Sequence, residues 1–138
     1  MIPFIDPILL NKNIQNLKKQ VLSGRLGPGK VTSDLEKNIV LKFNSKYALF
    51  TTSATMGLYI AVQALGLKKN DEILIPAYGV VCNANAFSSF GLKIKLVDIN
   101  LTTGCMDIKK LKKQINYKTK AICFVNFSGN LDSDLKRV

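Results

Sequence analysis

Two short stretches, Ile73-Leu-Ile75 and Ala121-Ile-Cys-Phe-Val125, are apolar at every position and not merely at every second one. Successive side chains of a strand point to opposite faces, so a strand without a polar face has to be covered on both sides. Around these runs the pattern changes to helical spacing. It gives helix 11–22, helix 33–43, strand 47–52, helix 55–65, strand 72–76, helix 82–90, strand 93–98, helix 107–115 and strand 120–127, with Gly24, Gly66, Gly91 and Gly104 as punctuation. Strands that alternate with helices and are apolar on both faces specify an α/β fold, a mostly parallel sheet with helices on both faces. Ligands of such sheets bind beyond the carboxyl ends of the strands, an edge at which residues 52–56 and 76–80 fall.

Local signals sharpen individual elements. Ile14, Leu17 and Val21 form one face of the first helix. Ser33-Asp-Leu-Glu36 reads as a capping box opening the second. Ile108, Leu111 and Ile115 fall at helical spacing, so Lys109, Lys110, Lys112 and Lys113 read as the solvated face of an amphipathic helix.

That assignment removes the main argument for nucleic acid. The net charge of +11, from 20 Lys+Arg against 9 Asp+Glu, is spread along the chain and comes without an aromatic-rich RNA motif or zinc-finger spacing. No run reaches the roughly 18 apolar residues of a membrane span. The start, Met1-Ile-Pro-Phe-Ile-Asp6, lacks a basic region and a long apolar core, so no signal peptide and a cytoplasmic location are expected. Histidine is absent, which excludes Ser-His-Asp and Cys-His catalysis by these residues and argues against zinc chemistry. Cys82, Cys105 and Cys123 have no C-x-x-C spacing and read as reduced, partly buried thiols, with no metal ligands assigned.

The segment Tyr47-Ala-Leu-Phe-Thr-Thr-Ser-Ala-Thr-Met-Gly57 runs from an apolar stretch through small hydroxylated residues into a helical pattern. Such a junction offers unpaired backbone N–H groups and the positive end of a helix dipole, which suits a phosphate. Plain helix capping by Ser53 is the simpler alternative. A second phosphate signal fails: Gly24-x4-Gly29-Lys30 has Val31 where a P-loop needs Ser or Thr, follows a helix, and reads as a turn.

Pro3-Phe4, Gly27-Pro-Gly29, Leu35-Glu36, Ser53-Ala-Thr55, Ala64-Leu-Gly-Leu67, Asp71-Glu-Ile-Leu-Ile-Pro-Ala-Tyr78, Val97-Asp-Ile99 and Lys118-Thr-Lys-Ala-Ile122 occur in one order. In that order the chain resembles the amino-terminal part of the DegT/DnrJ/EryC1/StrS family of pyridoxal-phosphate-dependent sugar aminotransferases. The resemblance implies the amino-terminal part of an aspartate-aminotransferase-like (fold type I) large domain. Residues 1–32 would form its amino-terminal helix and loop, and residues 33–138 a portion of its α/β sheet. It implies amino transfer, typically from glutamate, to a nucleotide-linked keto-sugar used in polysaccharide biosynthesis. The implied assembly is a homodimer or a chain completed by another.

By position, the resemblance makes Ala54, Thr55, Met56 and Val80 the cofactor-binding residues. The amides of Thr55 and Met56 would face the phosphate of pyridoxal 5'-phosphate, and Val80 stands where an aromatic ring normally stacks on the pyridine. Ala54 replaces a frequent Gly, and Asn126 replaces a histidine in the family's Val-His-x-x-Gly segment. The family's ring-nitrogen Asp and Schiff-base Lys lie beyond the positions matched, and no lysine here takes that role by position. No catalytic residue is assigned. The expectation is a truncated family member that is inactive alone; the alternative is a non-catalytic α/β module binding a phosphorylated ligand or a partner subunit.

Overall fold

Helical spacing in the first fifty residues becomes two helices in the computed structural model, which describes residues 10–130: α1 (Asn11–Leu22) and α2 (Lys30–Phe43). The opening Met1-Ile-Pro-Phe-Ile-Asp6 and the carboxyl-terminal segment from Asp132 lie outside the described residues. The chain divides between Phe50 and Thr51 into two compact units, so α2 groups with α1 and not with the sheet.

In the first unit α1 has the expected bounds and stops at Gly24, whose φ of 68° lies in the left-handed region that glycine adopts without strain. The capping box expected at Ser33 does not form. The helix runs upstream to Lys30, where Gly29 is the extended N-cap residue. Ser33 N–H therefore bonds Gly29 O at 3.0 Å as an interior helical residue would. Glu36, released from that motif, accepts instead from Phe50 N–H at 2.9 Å.

The strand expected over 47–52 is not one either. Its residues are irregular, and Leu49 and Phe50 are 68% and 56% exposed. A strand exists through its ladder, and among the described residues no neighbour pairs with this segment.

The second unit contains α3 (Ala54–Ala64), β1 (Glu72–Pro76), α4 (Cys82–Ser89), β2 (Lys93–Val97), α5 (Ile108–Gln114) and β3 (Thr119–Ile122). The three strands form a parallel sheet in the order β2-β1-β3, so β1 is central. Its Ile73, Leu74 and Ile75 are buried on both faces, as the sequence requires. Ile73 and Ile75 pack with Val62 of α3, Phe87 of α4 and Leu92 on one side. Leu74 packs with Val97, Met106 and with Ile108 and Leu111 of α5 on the other. The result is a three-layer α/β arrangement.

β3 departs from expectation. It ends at Ile122, adds one further ladder bond from Cys123 N–H to Leu74 O (2.8 Å), and leaves the sheet before Phe127. Residues 121–125 are half-buried, because β3 is an edge strand among the described residues and β1 is not. At the amino edge, Glu72 ties the strands together: its carboxylate accepts from Thr119 Oγ1 at 2.7 Å and from Asn116 Nδ2 at 2.8 Å.

The direction of the helices decides where a ligand can sit. Asn70 N–H bonds Gly91 O at 2.9 Å, so the segments that follow α3 and α4 meet at the amino edge of the sheet. Gly91 turns there at φ 68°, where a Cβ would come within 3.0 Å of Lys69 Cγ. Both helices therefore run back against the strands, and both amino-termini point toward the carboxyl edge.

Candidate functional site

At that edge α3 begins with Ser53 as N-cap, its backbone extended at φ −160° and ψ 161°. Ser53 Oγ accepts from Met56 N–H at 3.2 Å, and Thr51 Oγ1 donates to Ser53 O at 2.9 Å, fixing the turn that leads into the helix. The capping reading of Ser53 is therefore correct, and it has a consequence for the expected phosphate contacts. Met56 N–H is already spent on the cap. The Ala54 and Thr55 N–H groups have no acceptor among the described residues and stand at the positive end of an 11-residue helix. No acidic residue occupies that first turn. Ala54 and Met56 are exposed and Thr55 is half-buried.

The loop after β1 leaves the sheet at the same edge. Ala77 N–H bonds Val97 O at 2.8 Å, holding the first residue past the strand in line with the sheet before residues 78–81 turn away. Val80 is 59% exposed and borders a cavity of about 240 Å³, shared with Pro76, Ala77, Val81, Asn83 and Leu96. The lining carries no charged group, so it suits an apolar ring face. Asn126 lies exposed in the segment that follows β3, just ahead of the 3-10 turn Phe127–Gly129.

Sequence reasoning missed one contact here. The rings of Tyr78 and Phe127 meet with centroids 4.5 Å apart and planes inclined by 51°. Both aromatics were visible, but nothing local announces that loops so distant in sequence leave adjacent strands.

Other residues singled out by sequence fall into structural roles. The Asp98 carboxylate pairs with Lys110 Nζ and accepts from Ile99 N–H at 2.9 Å. The Lys110 bond and then the Ile99 N–H hold that carboxyl below its ordinary range, which marks a strand-end cap. Asp107 caps α5 by accepting from Lys109 N–H at 2.8 Å and Lys110 N–H at 3.1 Å. Ile108 and Leu111 are buried as the helical spacing requires. Ile115 falls just past the helix end and stays exposed. The three cysteines are free, Cys105 buried and the others half-buried; burial, with a smaller contribution from Cys82, pushes the Cys123 thiol up and keeps it protonated. The glycine-rich segment 24–29 is the turn between α1 and α2, and Lys30 Nζ pairs with Asp34 at 2.9 Å. Among the described residues no helix is long and apolar enough to cross a membrane. None of their His, Cys, Asp and Glu side chains form a group able to hold a metal ion.

The sequence profile of the DegT/DnrJ/EryC1/StrS aminotransferase family matches residues 7–138. The chain belongs to that family. It is 34% identical over 108 residues to a GDP-4-keto-6-deoxy-D-mannose 3-dehydratase of Escherichia coli O55:H7, a match covering 74% of this chain and 28% of the relative. The solved E. coli GDP-4-keto-6-deoxy-D-mannose-3-dehydratase with bound hydrated PLP superposes with a TM-score of 0.86 at 29% identity, covering 94% of this chain and 35% of that one. A Streptococcus pneumoniae protein assigned as a sugar aminotransferase, solved in its PMP form, gives a TM-score of 0.85 at 27% identity over 96% of this chain and 33% of that one. The α/β fold is thus that of pyridoxal-phosphate-dependent enzymes, and the chain spans about a third of the length of these relatives.

Proposed function

We propose that this chain carries the phosphate-and-ring half of a pyridoxal-phosphate site serving amino-group chemistry on a nucleotide-linked keto-sugar. The observation that carries the reading is the amino-terminus of α3. There Ser53 spends its side chain on Met56 N–H, and Ala54 and Thr55 N–H have no acceptor among the described residues. Two adjacent backbone donors at a helix amino-terminus match a phosphate dianion. The uncharged cavity beside Val80 matches a flat ring, with less stacking energy than an aromatic residue would give.

The roles follow residue by residue. Ala54 and Thr55 would hold the phosphate through their amides, and Met56, its amide engaged, would contribute only its exposed side chain at the rim. Val80 would cover one face of the ring, and Asn126 would offer a neutral hydrogen-bonding side chain where relatives place a histidine. When bound, the cofactor supplies an electron sink for bond breaking at the carbon that carries the amino group. That chemistry also needs a lysine nucleophile and a carboxylate beside the ring nitrogen, parts that the residues named above do not supply. Residues 10–130 thus account for cofactor binding and not for the whole of amino transfer.

One substitution isolates the phosphate contact. Proline at Ala54 removes a single N–H at the first helical position, where proline is favoured, and the extended Ser53 backbone before it is compatible. Ala54→Pro should leave the helix intact by circular dichroism and weaken pyridoxal 5'-phosphate binding roughly 10-fold or more. Unchanged affinity would remove α3 from the site. Borohydride treatment of the protein with the cofactor should leave no lysine stoichiometrically modified by mass spectrometry; one specific adduct would assign a Schiff-base lysine to these residues.

A further inference from the structure

We propose that Tyr78 and Phe127 are positioning residues, a cross-loop pair that sets the spacing between the Val80 loop and the Asn126 turn. The inference rests on the cofactor reading above only for what occupies that space. β1 and β3 are neighbours, and each sends one segment out beyond the carboxyl edge. The segment after β1 carries Tyr78 two residues before Val80, and the segment after β3 carries Phe127 immediately after Asn126. The ring contact at 4.5 Å joins these two segments directly. Any movement of one loop against the other has to break or slide that contact.

The Phe127 side of the pair is held firmly. Ser128 adopts the left-handed conformation at φ 54° and Gly129 follows at 77°, so the turn is tight, closed by Gly129 N–H to Asn126 O at 3.0 Å and Asn130 N–H to Phe127 O at 3.1 Å. Asn130 Nδ2 donates to Thr103 O at 3.0 Å and Cys105 Sγ reaches Asn130 O at 3.4 Å, anchoring the end of the turn to the loop before α5. Tyr78 is 49% exposed, in a loop held at Ala77 by Val97 O and at Val80 by Asn83 N–H (3.2 Å). The turn thus presents Phe127 as a stop against which the Tyr78 loop leans. Position 80, being valine, contributes no ring and cannot make an equivalent contact. The spacing between the Val80 loop and the Asn126 turn is then set by the Tyr78–Phe127 contact and not by residue 80.

The test uses the full 138-residue protein and the variants Tyr78→Ala, Phe127→Ala, the double variant and Tyr78→Phe. Two ligands are titrated: pyridoxal 5'-phosphate, which has a ring, and inorganic phosphate, which does not. Each alanine variant should weaken the ring ligand roughly 2- to 10-fold and leave phosphate affinity unchanged. The double variant should lose no more than either single one, and Tyr78→Phe should retain wild-type affinity, since the hydroxyl is not part of the contact. A ligand-free readout accompanies these. In NMR spectra Tyr78→Ala should shift Asn126 and Phe127→Ala should shift the Val80 methyls, each across the gap, with Tyr78→Phe near wild type. Wild-type protein that binds neither ligand but shows these cross-loop shifts would sink the cofactor reading and leave the pair standing. Cross-loop shifts that are absent, additive losses in the double variant, or parallel losses for both ligands would overturn the pair.

Discussion

The two units of this chain carry equally clear helical patterns and treat them differently. In α1 the apolar face of Ile14, Leu17 and Val21 is 48%, 64% and 52% exposed, and neither α1 nor α2 has a buried residue. In α5, only seven residues long, Ile108 and Leu111 are buried against Leu74 and Val97. An amphipathic pattern states which face of a helix is available for cover. Burial comes only where a sheet or another helix supplies the cover, and within these residues the sheet supplies it to α3, α4 and α5.

Four measurements press on that contrast, beginning with the largest effect. Leu74→Ala, at the centre of the sheet with no exposed surface, should lower the unfolding free energy by roughly 2–5 kcal/mol in denaturant titration. A loss below about 1 kcal/mol would mean that the sheet core is not what holds the second unit together. Asp107→Ala removes both bonds that cap α5 and should cost about 1 kcal/mol. If it costs nothing, packing alone fixes that helix.

The third measurement is acid titration. Hydrogen bonds from Thr119 first, then Asn116, with Lys95 and Lys118 nearby, hold Glu72 below its ordinary value in the folded state despite opposing desolvation. A carboxyl depressed by folding stabilises above its unfolded value and loses that contribution as pH falls through the folded one. Wild type should therefore lose stability on acidification below the ordinary glutamate range more steeply than Glu72→Gln. Identical acid limbs would show that the Glu72 clamp does not hold the β1–β3 edge. The smallest effect is expected in the first unit, where Leu17→Ser should change stability by no more than about 0.5 kcal/mol. A loss comparable to that of Leu74→Ala would show that the α1 face is covered in solution, and would erase the contrast.

The site was legible in unequal parts. Ser53 as a cap and the α3 amino-terminus could be read from a hydroxylated residue before an apolar helical run, because capping is a local matter of a few bonds. Which amides remain for a ligand could not. That depended on Ser53 Oγ choosing Met56 N–H, which moves the available donors to Ala54 and Thr55. The segment 47–52 shows the same division. Its apolar character is a property of the residues, while strand formation needs a neighbouring strand that no local signal reports.

The residues themselves determined the α/β class and the family, because strands apolar on both faces that alternate with helical spacing need cover on both sides, but they left open which strand is central. Tertiary structure decided what depends on neighbours: that β3 is a half-buried edge, that Glu36 serves Phe50 and not a capping box, and that Tyr78 meets Phe127. The physical reason is one of range. Periodicity and capping are set within a few residues along the chain, whereas burial and cross-loop contact are set by groups that only the fold brings within reach.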